Sequence, residues 1–237
     1  MGSTRLPGKT LMPLEGKPLL HQILDRILDA KTVTQIVVAT TTSDRDDVLA
    51  DAVKDSNPKI TVFRGSEEDV LDRYYQAAKN VQADIVIRLT ADDPFKDPEV
   101  IDQVVQPLLD NPSLDYCSNI LGVQTFPNGL DVEAMRFAVL EKMATTATEQ
   151  EDREHVTLML RKHPEAFKTK NIVLPENLHY LRWTIDEDKD FEMAARVYAA
   201  LYPTNPKFRM RDILDLIRKE PDIATINQNV KQKLPQF

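Results

Sequence analysis

Between Pro18 and Lys54 the spacing of hydrophobic positions changes twice. Leu19, Leu20, Ile23, Leu24, Ile27 and Leu28 recur at helical intervals, so one apolar face runs along a predicted helix. "TQIVVATTT" (34–42) is then a short run rich in β-branched residues, the pattern of a buried strand. Ser43 with Asp46 reads as a capping box opening the helix "DRDDVLADAVKD". The same grammar follows once more: "KITVFRG" (59–65) as a strand, Ser66 with Asp69 as a second capping box, the helix "VLDRYYQAAKNV", and "ADIVIRLT" (83–90) as a third buried strand. After the loop "ADDPFKDP", Asp97 is placed as an N-cap and Pro98 at the first helical position of "EVIDQVVQPLLD". Pro107 should kink that helix or end it nearby. Helices and strands in alternation predict an α/β fold, a doubly wound and mostly parallel sheet. Its ligand site belongs beyond the carboxyl ends of the strands.

From residue 114 the pattern becomes mixed. "LDYCSN" and "LDVEAM" read as strands, with a helix from about Phe137 to Thr145. "EQEDREHVTLMLRKH" reads as one charged helix, and "FKTKNIVL" and "HYLRWTID" as two strands of a hairpin. "DKDFEMAARVYAALY" and "RMRDILDLIRKEPDI" close the chain as helices. Without repeats or a linker, residues 1–237 are expected to form a single domain. The segment at about 115–185 should decorate one edge of the sheet.

Composition narrows the partners. The 237 residues carry a net charge of −8, from 30 Lys+Arg against 38 Asp+Glu, which argues against nucleic acid. At 42% hydrophobic and 29% charged, the chain can build a packed core. Cys117 is the one cysteine, so no intrachain disulfide forms and a reducing, cytoplasmic setting is expected. No apolar run approaches ~20 residues and no signal peptide pattern is present, so no membrane is expected as a partner.

Four constellations can carry chemistry. In "GSTRLPGK" (2–9), Gly2 allows backbone approach to an anion, Ser3 and Thr4 offer hydroxyls, and Arg5 and Lys9 supply cations. The spacing differs from the P-loop, and a plain N-terminal coil is the competing reading. In "TADDP" (90–94), Asp92 and Asp93 follow a buried strand, where a carboxylate pair can hold Mg²⁺ or merely solvate a loop. In "RWTIDEDKDFE" (182–192), Asp188 is placed to cap the next helix, which leaves Asp186 without a structural explanation. In "FPNGLDVE" and "REHV", Asn128, Asp131, Glu133 and His155 are of the kind that read sugar hydroxyls, although Asn128-Gly129 alone is a turn. Arg73 belongs to a capped helix from which it could face a ligand.

In order along the chain, "GSTRLPGK", "GKPLL", "RGSEEDVLDRYYQAA", "RLTADDPFKDPEVID", "FPNGLDVE", "REHVT" and "LRWTIDEDKDFE" resemble the spore-coat polysaccharide biosynthesis cytidylyltransferase-like proteins. These are a branch of the acylneuraminate and 3-deoxy-manno-octulosonate cytidylyltransferases. The resemblance implies a nucleotide-diphospho-sugar transferase-like, Rossmann-like fold with a small β-rich dimerisation arm within 115–185, and a homodimer. It implies transfer of CMP from CTP to a sugar with release of pyrophosphate, using Mg²⁺. By position, Gly2, Ser3, Thr4, Arg5 and Lys9 would hold the triphosphate, Asp92 and Asp186 the metal, and Arg5, Lys9 and Asp92 would be catalytic. Thr90 would lie at the nucleotide base. Arg73, Asn128, Asp131, Glu133 and His155 would lie on the acceptor side. An acidic acceptor would need a basic pocket, for which Arg73, Arg153 and Arg182 are candidates.

Three departures from the family pattern matter. Thr90 stands where relatives commonly have Gln, and Asp93 where octulosonate enzymes have Glu. The family also has a buried strand ending in Ala-Arg just before the position of Met1. Without it, the sheet should show a gap or a substitute strand in its middle, and CTP binding should be weaker than in a chain extended upstream. A nucleotide-sugar-dependent glycosyltransferase and a non-catalytic scaffold subunit are the alternative readings.

Overall fold

The chain is described here by a computed structural model covering residues 5–54 and 56–231. Gly2, Ser3 and Thr4 therefore lie outside the described residues. A tight antiparallel pair, β1 (Pro13–Leu14) and β2 (Lys17–Pro18), leads into α1 (Leu19–Leu28). The apolar stripe of α1 is buried along its length at Leu19, Leu20, Ile23, Leu24 and Ile27. β3 (Ile36–Thr41) and β4 (Ile60–Gly65) pair in parallel, joined through α2 (Asp47–Val53). α3 (Val70–Asn80) leads to β5 (Ile85–Arg88), and α4 (Pro98–Asp110) to β6 (Tyr116–Ser118).

A second sheet contains β5, β7 (Glu133–Arg136), β6 and β8 (Thr169–Asn171) in that order. β7 is antiparallel to both neighbours, while β6 and β8 are parallel. The mixed character has a simple origin. Residues 119–132 contain no helix, so the chain turns back beside β6 instead of crossing over the sheet. α5 (Phe137–Thr146), α6 (Gln150–Glu154) and α7 (Leu158–Lys162) follow. α8 (Asp188–Leu201), α9 (Met210–Lys219) and α10 (Asp222–Thr225) complete the fold. No helix among the described residues is long and apolar enough to cross a membrane.

The predicted α/β order is present, with local corrections. Ser43 makes no side-chain capping bond: the Asp46 amide donates to the Ser43 carbonyl at 2.9 Å instead, and the Asp46 carboxylate is taken by the hydroxyls of Thr40 and Thr41. At the next helix Asp69 is the cap, accepting from the Asp72 amide. The charged stretch after residue 149 is two short helices, interrupted at 155–157. The predicted hairpin does not form. β8 pairs with β6, and the backbone of 181–185 is committed elsewhere: Leu181 and Trp183 bond to Asn128, and the Ile185 amide donates to the Asp92 carbonyl.

Among the described residues, no strand fills the middle of the sheet between β3 and β5. β3 and β5 belong to different sheets, and a cavity of about 520 Å³ lies between residues 32–39 and 83–92. α1 and α3 close its two faces, and Gly8, Lys9 and Thr10 stand at one end. None of the four β5 residues is fully buried, although three are apolar. One core packs Phe95, Trp183, Tyr198 and Phe208 beneath α4, α8 and α9; a second packs Leu71, Tyr116, Met135 and Leu140 under α3 and α5.

Candidate active site

The site forms where three distant segments meet. Gly8 takes a left-handed conformation, φ 72°, and turns the opening loop into one turn of 3₁₀ helix at Lys9–Leu11. That turn aims Lys9 inward, where it is only 9% exposed. Its ammonium lies 3.1 Å from Asp92 Oδ2 and 3.2 Å from Asp186 Oδ1, and donates to the Ile185 carbonyl. Arg5 reaches the same Asp186 oxygen at 3.1 Å. Residues 5, 9, 92 and 186 are thus brought together from three segments of the chain.

Each carboxylate is held by its own support. Asp92 precedes Asp93, which is buried with Lys96 at 2.6 Å and accepts from the Thr90 hydroxyl at 2.6 Å. Lys96 is completely buried and donates further to the carbonyls of Asp131 and Gly129. Burial pushes the Asp93 carboxyl up to about 6, with the Lys96 charge opposing and Asp92 and Asp131 adding to the rise. Behind this loop, Phe95 packs against Trp183 and Tyr198, and the Tyr198 hydroxyl donates to the Pro94 carbonyl at 2.8 Å.

Asp186 is set by Asp190. The Asp190 carboxylate is fully buried, accepts from the amides of Asp186 and Glu187 at 3.0 Å each, and holds Arg182 through both oxygens. Arg182 in turn donates to Asp186 at 3.0 Å. Burial would raise the Asp186 pKa, but Lys9, then Arg5 and Arg182, hold it below the usual carboxylate value. The helix cap here is Glu187 in a capping box with Asp190, which corrects the expectation for Asp188, the first residue of α8. Arg182 is committed to this network and does not stand as a free cation for an acceptor.

The acceptor-side residues are dispersed. Asn128 bonds to Leu181 and Trp183 through its backbone, opposite Arg182. Asp131 lies over Lys96, and burial raises its pKa against the pull of the Lys96 charge. Glu133 presents no free carboxylate: it is 1% exposed, with one oxygen on Arg88 and the other accepting from the Tyr116 hydroxyl. Burial raises its pKa, and Arg88, Tyr116 and Thr157 more than offset this. Arg73 lies across the cavity, packed on Gly65 and donating to the Ser66 carbonyl. His155 is half-buried at the end of α6. Arg153 is tied to Asp69 and to two carbonyls. Arg88, Lys96 and Asp190 were missed as supporting residues. For Arg88 the available signal was a charge inside an otherwise apolar run, "IVIRLT".

The group fits a small divalent cation. Among the described residues no three His, Cys, Asp or Glu side chains gather to make a protein cage. Two carboxylates and a carbonyl converge on one ammonium instead. Mg²⁺ accepts such a sparse set, completing its octahedron with phosphate oxygens and water; here the Lys9 ammonium occupies the space between these oxygens.

Known proteins resemble the chain along its whole length. Residues 1–233 match the family described as cytidylyltransferase. The chain is 36% identical to the spore coat polysaccharide biosynthesis protein SpsF of Bacillus subtilis over 233 residues, 95% of this chain and 93% of that one. It is 33% identical to a 3-deoxy-manno-octulosonate cytidylyltransferase of Geobacter sulfurreducens over 112 residues, 47% of this chain and 43% of that one. A solved cytidylyltransferase from Leptospira borgpetersenii superposes with a TM-score of 0.89 at 31% identity, covering 100% of this chain and 95% of the other.

Proposed function

The chain belongs to the cytidylyltransferase family, and on that premise we propose that it transfers CMP from CTP to a hydroxyl of a sugar destined for a polysaccharide. The observation that carries this reading is the convergence of Lys9 and Arg5 on Asp92 and Asp186. A triphosphate needs cations at its β and γ phosphates, and its attack site needs a metal seat; this cluster offers both within one ammonium's reach. The likeness to SpsF supports a polysaccharide sugar. The partial likeness to an octulosonate enzyme makes acidic sugars the first acceptors to test.

In the reaction, the sugar hydroxyl oxygen bonds to the α-phosphorus as the bond to the β-phosphate oxygen breaks, and the hydroxyl proton is released. Charge accumulates on the phosphoryl oxygens and on pyrophosphate, so the protein's work is positioning and electrostatic stabilisation. Lys9 and Arg5 meet the departing pyrophosphate. Asp92 and Asp186 would hold Mg²⁺, which when bound polarises the α-phosphate. The buried pairs Asp93–Lys96 and Asp190–Arg182 keep the two carboxylates aimed at one point. Thr90, with its hydroxyl on Asp93, offers less reach toward a base than a Gln would. Selection of cytosine is therefore tested directly.

The same reading takes the protein as a cytoplasmic homodimer. Val123, Val173 and Tyr180 support an arm contact, since they are 69%, 53% and 76% exposed within the 115–185 segment. The deciding experiment measures pyrophosphate release with Mg²⁺, each of CTP, UTP, ATP and GTP, and a panel of acidic and neutral sugars. CTP-selective, sugar-dependent release is expected. Lys9→Ala should lower it by roughly a hundredfold or more, the loss typical of removing one transition-state charge partner, while thermal unfolding moves little. Release without sugar dependence, or hydrolysis of a finished nucleotide sugar instead, would reject the reading.

A further inference from the structure

The Lys9 ammonium has three N–H donors, and three oxygens from three directions take them: Asp92 Oδ2, Asp186 Oδ1 and the Ile185 carbonyl. No donor is left for an incoming phosphate while Lys9 stays there. The same three oxygens are the ones a divalent cation would need. Lys9 and the metal therefore compete for one seat.

The energetics of exchange depend on what arrives. A free divalent ion can satisfy the vacated oxygens, but it leaves an ammonium only 9% exposed without a counter-charge, which is costly. A metal ion carried on a polyphosphate satisfies both sides, because its phosphate oxygens accept from the displaced Lys9. Arg5 prepares for the same exchange. Its Nη2 sits on Asp186 at 3.1 Å, while its buried Nη1 makes no hydrogen bond and lies 3.9 Å from Glu187 Oε1.

We propose that Lys9 is a tethered resident cation that keeps the Asp92–Asp186 seat closed to free divalent ions and yields it to a metal ion bound to a polyphosphate. This rests on the proposed nucleotidyl transfer and adds an order to it: the metal enters with the nucleotide, and the departure of Lys9 from the carboxylates is what brings it to the phosphates. Coupling of the two binding events follows, because each ligand supplies what the other's entry uncovers.

The test uses the nucleotide-free chain and Mn²⁺, whose free-ion paramagnetic resonance signal reports binding without turnover. Lys9→Met should bind Mn²⁺ roughly five- to hundredfold more tightly than the unaltered protein, the span of ordinary coupling between sites. Lys9→Arg, which keeps the charge, should stay as weak as the unaltered protein. Equal or weaker binding by Lys9→Met overturns the proposal. A second measurement needs no variant. On the unaltered protein, Mn²⁺ with pyrophosphate should raise the melting temperature by more than the two separate shifts added. A shift from Mn²⁺ alone as large as that from the pair also overturns it. Neither measurement involves CTP turnover, so failure here is distinct from failure of the transferase reading.

Discussion

Asp46 shows how a single side chain can reverse the effect of its own burial. It is 3% exposed, and its Oδ2 accepts from the hydroxyls of Thr40 and Thr41 at 2.7 Å and from the Thr41 amide at 3.2 Å. Burial pushes its pKa up, but the hydroxyls of Thr41 and Thr40 lead the contributions that hold it well below the ordinary 3.8. The folded value lies below the unfolded one, so the unfolded chain takes up the proton first. The stabilisation is complete above about pH 4 and drains away as the pH falls through and beneath the unfolded value. Asp46→Asn should cost roughly 1–3 kcal/mol at pH 7, the worth of hydrogen bonds to a charged group. It should also flatten the decline in stability below pH 4. Urea unfolding of both proteins at stepped pH checks this; parallel declines would show that Asp46 contributes nothing to acid sensitivity.

Among the elements, the contact between the loop at 126–131 and the extended run at 181–186 decides where the second carboxylate stands. Gly129, at φ +109°, is what lets them touch: an added Cβ would lie 2.7 Å from the Thr184 nitrogen and from the Trp183 carbonyl carbon. Backbone on both sides cannot yield as a flexible side chain would. Gly129→Ala should therefore cost roughly 2–4 kcal/mol, from conformational strain and overpacking together, and should move Asp186 away from Asp92. Gly122→Ala is the internal control. Its φ is +69° and nothing lies within 4 Å, so only a conformational penalty of about 1 kcal/mol is expected. Melting temperatures and pyrophosphate release of the two variants separate the effects.

This contact also marks the limit of what the pattern of residues could reveal. α1 and α3 were legible because each has one helical period and buries one face, and β3 and β4 because each is a short run rich in β-branched residues. Asp92 and Asp186 were legible as carboxylates left over once caps and turns had been assigned. The run at 179–186 misled, because apolar alternation also describes a chain laid against loops. Ser43 misled for a related reason. A capping box is a statement about two residues, and here the Asp46 amide went to the Ser43 carbonyl while Thr40 and Thr41, just before it, took the Asp46 carboxylate. Asp190 and Lys96 stayed hidden because a buried charge and a solvated one are written with the same letter.

At the scale of the whole molecule, the two sheets face one another across the cavity between β3 and β5. The Ile36 amide donates to Lys59 and the Thr42 amide to Gly65, so the even-numbered amides of β3 point toward β4. In a strand the intervening amides point the opposite way, which turns Val37 and Ala39 toward the cavity. The strand should carry an alternating isotope record. In deuterated water, Val38 and Thr40 should exchange only on larger openings, while Val37 and Ala39 fill with deuterium orders of magnitude sooner. An equal clock along all four, read by nuclear magnetic resonance, would mean that something pairs with the inner edge of β3. The alternation would then double as a gauge, its loss reporting when that edge becomes occupied.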